Sequence, residues 1–387
     1  MHDRSCDVAV VGGGLAGTTA AFAFAKQGCS VRLFERRELA RDPNRGDLLH
    51  PPTIEVLDRL GLLDMIKPRT SRILGLSIQD NEGLVTSHEH EQPRIVLNHA
   101  EMEAAFLEAA EAEGAVDENH AVRSLTRDGD EPGTGWLVET DEGTTRARFL
   151  VGADGADSLT RRTLGIEYSD VHEYDHWIVV LHADRPQWLE PEHGWSLYHP
   201  DGAVFILPTT PEGRIRVIVI VPQGETKAWM TSSEEELARR LGKRHPGLAE
   251  LKLTKRGGSH VYRLKRSHAA KYFGPHVALV GDAIHTTHTM GGQGLNIAIQ
   301  DSAKLAELVG PLLQDPNSTE AQLDAALEEY EEIRRPINTN TLAQADWAAK
   351  MCGPGEAGYE FARDFYRKAA DDPGVMKDFA SRFGGKA

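Results

Sequence analysis

Two glycine clusters near opposite ends of the chain hold the residues best suited to chemistry. Gly12-Gly13-Gly14-Leu15-Ala16-Gly17 has GxGxxG spacing, and Gly281-Asp282-Ala283-Ile284-His285 is followed by Gly291-Gly292-Gln293-Gly294-Leu295-Asn296. Gly12 permits a tight turn, Gly14 lets backbone approach a pyrophosphate, and Gly17 allows a helix to pack closely on a strand. A helix opening at such a turn offers unpaired amides and the positive end of its dipole to phosphate. Glu35 stands about 20 residues further on, where an acid meets a ribose hydroxyl. Two such loops, so far apart in sequence, imply one long cofactor that reaches both.

The elements around the first loop have the order such a site needs. Residues 8–11 form a short apolar run that reads as a buried parallel strand, 15–27 as an alanine-rich helix ending at Gly28, and 30–34 as a second strand. Strand, glycine turn, helix and strand make the first unit of a dinucleotide-binding sheet. A polar loop at 42–47 contains Arg45 and precedes a helix over 52–63 that exits at Gly61. Alternation at 74–78 and 94–97 predicts strands of a different sheet, before a helix over 100–113.

The chain then returns with a strand at 144–151 that runs into Gly152-Ala153-Asp154-Gly155. Alternation at 195–198, 203–207 and 215–221 makes 172–262 a mostly antiparallel sheet, with a helix at 232–241 on one face. A last buried strand at 277–280 leads to the second glycine cluster, and helices follow over 295–309 and over 322–335, up to Pro336. Period alone leaves open which strand face lines a pocket. Arg214 and Arg216 share one face, either to clamp an anionic substrate or simply to meet solvent.

Composition bounds the function classes. The 387 residues are 40% hydrophobic and 26% charged, enough for a large core and two domains that share an interface. A net charge of -16 argues against nucleic acid and anionic membranes. Cys6, Cys29 and Cys352 lack disulfide or metal-site spacing and read as free thiols. Charges at Asp3, Arg4 and Asp7 argue against a signal peptide, and no apolar run approaches the ~20 residues of a membrane helix. A cytoplasmic protein is expected.

Gly12, Gly14 and Gly17 with Glu35, the Asp154-Gly155 pair, and Gly281-Asp282 with 291–296 resemble the three fingerprints of the group A flavoprotein aromatic hydroxylases, the p-hydroxybenzoate hydroxylase-like monooxygenases. The resemblance covers most of the chain. It implies an α/β fold: a Rossmann-like FAD-binding domain (1–73, 98–168 and 272–345), a mostly antiparallel substrate domain (74–97 and 169–271), and a C-terminal helical segment (346–387). The cofactor it implies is FAD. Gly12, Gly14, Leu15, Ala16 and Gly17 would hold the pyrophosphate, Glu35 the adenosine ribose, Arg36 the adenine edge, and Arg45 the FAD backbone. For Arg36 and Arg45, solvated surface charge is the alternative.

Further cofactor contacts implied by the resemblance fall at His99, Val122, Asp154 and Gly281. Asp282 would bind the ribityl chain, and Gly292, Gln293, Gly294, Leu295 and Asn296 would turn their helix end toward the flavin pyrimidine. Unpaired amides there would stabilise the negative charge of reduced flavin. Asp154-Gly155 also reads as a plain turn. Three positions depart from the family: Thr289 replaces a usual proline, His99 stands in for an arginine or glutamine, and Asp157 replaces a basic residue. His288 and Thr289 are the candidates on the substrate and flavin side. His288 is either satisfied by local hydrogen bonds or takes part in catalysis.

The implied activity is a single-component monooxygenase. NADH or NADPH would reduce FAD, dioxygen would add to reduced flavin, and the hydroperoxide would hydroxylate an electron-rich aromatic or heteroaromatic molecule. Trp195, Tyr198, Phe205 and the 215–221 strand would cover an apolar pocket that keeps water out. Flavin-dependent halogenation or an FAD-dependent reductase or dehydrogenase on the same fold are the alternatives, although no Trp-x-Trp-x-Ile-Pro segment marks a halogenase. A monomer or homodimer is expected.

Overall fold

The computed structural model describes residues 4–36, 46–129, 134–209, 213–254, 260–372, 374, 375 and 378. Arg4–Val11 lies between Val31–Phe34 and Gly143–Gly152, parallel to both. Phe273–Gly274 and Val277–Leu279 extend this sheet beyond Gly143–Gly152, and Val116–Asp117 closes the other side. Val8 and Val10 face the helices Leu15–Ala25, His99–Ala112 and Gln293–Gln314, whereas Ala9 and Val11 face the hairpin Ser124–Arg127/Trp136–Thr140. A strand covered on both faces must be apolar throughout, which is why 8–11 carries no alternation.

The second sheet runs in the order His285–Thr286, His260–Ala269, Tyr168–Asp184, Arg214–Pro222, Val204–Pro208, His193–Leu197, Ser71–Asp80, Gly83–Asn98 and Gly46–Leu49, with Leu253–Thr254 beside Tyr168–Asp184. Both sheets therefore meet at the glycine loops. Gly46–Leu49 follows the first Rossmann-like unit in sequence, and His285–Thr286 lies between the second cluster's two halves.

Arg214–Pro222 shows how the two faces of this sheet divide. Ile215, Val217, Val219 and Val221 pack with Trp195, Trp229, Leu237 and Leu241, on the side of the helix Glu234–Gly242. Ile218 and Ile220 turn the other way, into a cluster with Tyr198, Phe205, Leu76, Met290 and Tyr359 of the helix Glu356–Asp371. Trp195 thus faces away from the glycine loop that carries Met290, while Tyr198 and Phe205 share its side. Solvent exposure does not hold for Arg216, which is 5% exposed. Arg214 pairs with Asp184 at 3.0 Å and donates to Thr254 Oγ1 at 2.6 Å.

The C-terminal helix differs from its expected end. Glu320–Cys352 runs through Pro336 without stopping and carries a capping box between Thr319 and Gln322. Proline removes one intrahelical bond there, but Arg334, Asn338, Thr341, Leu342 and Ala345 bury a continuous face across it. Packing outweighs the missing bond. Cys6, Cys29 and Cys352 are free and buried. Among the described residues no helix is long and apolar enough to cross a membrane.

Candidate active site

The first glycine loop is shaped by close backbone approach. A Cβ on Gly17 would lie 1.8 Å from Gly12 O, and one on Gly12, at φ +104°, would lie 2.2 Å from Ala153 O. No side chain larger than hydrogen fits either position. Gly14 caps Leu15–Ala25 without a side-chain hydrogen bond, so the first-turn amides of that helix keep their donors. Glu35 is 9% exposed, and its Oε2 accepts from Gly13 N at 2.7 Å. The acid therefore sits directly on the loop.

His99 belongs to the same neighbourhood. Its Nε2 lies 2.9 Å from Glu103 Oε1, both residues are buried, and Glu103 Oε1 would stand 3.6 Å from a Cβ on Gly14. Glu103 escaped the sequence reading, although its i,i+4 spacing from His99 on one helix was a visible signal. Val122 packs beside the cluster containing Val11 and Phe34. Arg36 is exposed at the bend after Val31–Phe34. Arg45 lies outside the described residues.

Two acids at the expected fingerprints behave differently. Asp154 accepts from Ser158 Oγ at 2.5 Å, Thr160 N at 2.9 Å and Thr160 Oγ1 at 3.1 Å. Its carboxylate is largely spent on its own turn and on the start of Leu159–Thr163. Asp282 is exposed on the turn Gly281–Ala283, and its carboxylate makes no hydrogen bond or ion pair with a described residue. It is open to a ligand.

The two glycine clusters converge in space. Gly281, at φ +60°, would bring a Cβ to 2.9 Å from Ala16 Cβ and 3.2 Å from Ala298 Cβ. Ser302 Oγ also donates to Ala16 O at 2.8 Å, fastening Gln293–Gln314 to the first helix. Gly292 caps Gln293–Gln314 in the left-handed region with no side-chain bond, which leaves the amides of Gly294 and Leu295 without intrahelical partners. Asn296 is fully buried; its Oδ1 accepts from His50 N at 2.9 Å, and its Nδ2 donates to Leu48 O at 2.8 Å and Gly292 O at 2.6 Å. Its side chain clamps Gly46–Leu49 onto the helix end, and His50 Nε2 completes the clamp at Gly291 O.

Beneath the loop lies a buried polar network. Asp301 Oδ2 is 2.7 Å from His285 Nε2, and Asp301 Oδ1 accepts from Arg334 Nε at 2.7 Å and Asn338 Nδ2 at 3.1 Å. Arg334 and His285 hold the Asp301 carboxyl below its usual range against the opposing effect of burial, which is the largest single influence. His285 thus supports the loop from below.

His288 is fully buried, and both ring nitrogens are engaged. Nδ1 accepts from Met290 N at 3.1 Å, and Nε2 lies 2.9 Å from His176 Nε2. Burial, then the neighbouring His176, push its pKa down to about 3. Thr289, next in sequence, is exposed, and its carbonyl accepts from Gly292 N at 2.9 Å. His176 comes from the strand Tyr168–Asp184, 112 residues away in the chain, and no local pattern announced it.

These residues fit FAD on structural grounds: a first loop that excludes a Cβ at Gly12 and Gly17, an acid seated on it, an open carboxylate at Asp282, and a second helix end without a side-chain cap. Residues 5–345 match the family model described as an FAD binding domain. The chain is 30% identical to the ubiquinone hydroxylase UbiL of Rhodospirillum rubrum, over 97% of this chain and 88% of that protein. It is 29% identical to protoasukamycin 4-monooxygenase of Streptomyces nodosus subsp. asukaensis, over 91% and 89% respectively. In fold it is similar to p-nitrophenol 4-monooxygenase PnpA of Pseudomonas putida DLL-E4, with a TM-score of 0.81 and 22% identity over 99% of this chain and 100% of that one.

Proposed function

We propose that this chain, an FAD-dependent aromatic monooxygenase that belongs to the FAD binding domain family, uses NADH or NADPH to hydroxylate an electron-rich aromatic or heteroaromatic small molecule. The balance is one substrate C–H, one dioxygen, one NAD(P)H and one proton giving the hydroxylated product, water and NAD(P)+. When bound, FAD would supply the redox chemistry, passing electrons from the nicotinamide to dioxygen.

The contact of Gly281 with Ala16 carries this reading, because it joins both glycine clusters into one continuous surface. Gly12, Gly14, Leu15, Ala16 and Gly17 would bind pyrophosphate, Glu35 the ribose, Arg36 the adenine edge and Asp282 the ribityl chain. The amides of Gln293, Gly294 and Leu295 would stabilise negative charge on the reduced ring. Asn296, Leu48 and His50 keep that helix end in place. Met290, Tyr198, Phe205 and Leu76 form the apolar wall that limits water. His288 fixes the loop, and Thr289 stands exposed on it.

The test is oxidation of NADH and NADPH by the FAD-loaded protein across phenols, hydroxypyridines, quinolones and polycyclic aromatics, with product mass measured. Oxygen uptake matched by a product one oxygen heavier supports hydroxylation. Turnover of substrate without oxygen uptake would instead favour a reductase or dehydrogenase.

A further inference from the structure

Arg94 lies in the hairpin Ser71–Asp80/Gly83–Asn98, opposite Ile73, while its neighbour Ile95 pairs with Leu49 on the other side. The register therefore sets Arg94 beside His50, the residue after Leu49. His50 in turn reaches the carbonyl of Gly291, so this corner of the sheet adjoins the second glycine loop. On the same hairpin His88 lies opposite Leu76, and the His88 and His90 rings are 5.4 Å apart. Directly opposed residues share a face. The face of Leu76 is the apolar wall that includes Met290, Tyr198 and Phe205.

Arg94 is half-buried, and protein surrounds its guanidinium closely enough that desolvation lowers its pKa. It makes no hydrogen bond or ion pair with any described residue. Accessible surface on a strongly desolvated group is what a cleft-lining side chain shows. Among the described residues no carboxylate answers it: Glu89 is exposed and stands 4.0 Å from His193 Nδ1, and Glu91 is exposed. Burial, then the Arg94 charge, push both His50 and His90 down to about 3, and the same two influences lower His88. These imidazoles are therefore neutral at pH 7, which leaves Arg94 as the positive charge among the described residues of the corner. A desolvated charge without a counter-ion is costly, and a ligand anion removes the cost.

We propose that Arg94, flanked by His50 and His90, recognises an anionic group of the aromatic substrate, a carboxylate or its equivalent, at the edge of the apolar wall. The planar guanidinium suits two parallel hydrogen bonds to a carboxylate, and a single unpaired charge suits a monoanion. This rests on the monooxygenase reading above, since it places the substrate ring against Met290, Tyr198 and Phe205.

The experiment uses the FAD-loaded protein and the three hydroxybenzoate isomers beside the matching hydroxybenzamides, with binding followed by the change in flavin absorbance. At least one acid should bind about tenfold or more tightly than its amide. Arg94→Met should abolish that preference at unchanged flavin content, and Arg94→Lys should keep part of it. Equal binding of every acid and amide by the wild type, or a preference that survives in Arg94→Met, overturns the assignment. So does loss of FAD from Arg94→Met, because Arg94 would then serve the cofactor. If acids bind through Arg94 but no aromatic compound is oxygenated, the hydroxylase reading fails while the anion subsite stands.

Discussion

His288 and His176 face each other through their Nε2 atoms at 2.9 Å, and the amide of Met290 decides which of the two donates. Because Met290 N–H points at His288 Nδ1, the His288 proton resides on Nε2 and is donated to His176. His176 then carries its own proton on Nδ1, 2.9 Å from Asp175 Oδ1. Both tautomers follow from one backbone amide. The chain of bonds ties the loop bearing Thr289 to the strand Tyr168–Asp184, and Tyr174 packs edge-on against His288 at 4.7 Å.

Acid should weaken the fold through this pair. His288 takes a proton near pH 3 in the folded chain, against an ordinary value of 6.5, so the unfolded state binds more protons throughout that interval. Stability is full above about pH 6.5 and is lost as pH falls toward 3, at up to about 1.4 kcal/mol per pH unit for one such histidine. His288→Asn should be less stable at pH 7 yet show a flatter decline between pH 6 and pH 4.5. Urea midpoints for both proteins across that range check this; parallel slopes would show that His288 is not a source of the acid sensitivity.

Alanine at Gly17 and at Gly294 should have opposed effects on stability. A Cβ at Gly17 meets the carbonyl oxygen of Gly12 at 1.8 Å, where only backbone could yield, whereas at Gly294 it meets Thr287 Cγ2 at 3.3 Å. Gly17→Ala should lose FAD and about 1–3 kcal/mol of stability or more. Gly294→Ala should keep or raise stability, by up to about 1 kcal/mol from helix propensity, while its methyl group at the helix end weakens FAD binding. Thermal midpoints and flavin-to-protein ratios report the two effects separately. Normal FAD content in Gly17→Ala would contradict the close packing of the first loop.

What the sequence disclosed follows from how far each constraint reaches along the chain. Gly12, Gly17 and Glu35 belong to one local unit whose turn chemistry is written in consecutive residues. Pro336 looked like a helix end because a single-residue rule applies there, while the burial of Arg334, Asn338 and Thr341 that overrides it depends on distant partners. Arg216 could be either exposed or buried, since strand alternation names two faces without saying what covers each. His176 beside His288, and Arg94 beside His50, are juxtapositions made by sheet register between remote segments. Thr289, the departure from the family pattern, was visible; its anchor was not.

Asp154 and Asp282 are both acids following glycine or alanine at a strand end, yet the fold uses them for different purposes. Asp154 holds three hydrogen bonds that order its turn and the cap residue Ser158, so Asp154→Ala should cost roughly 1–2 kcal/mol of stability. Asp282 contributes no such bonds, and Asp282→Ala should leave the stability of flavin-free protein within about 0.5 kcal/mol of wild type. Its expected defect is in FAD retention alone, because the proposed site gives this exposed carboxylate beside Gly281 to the ribityl hydroxyls. Flavin content after extended dialysis separates the variants. Asp282→Ala retaining FAD as wild type does would remove Asp282 from the cofactor site, whatever its effect on stability.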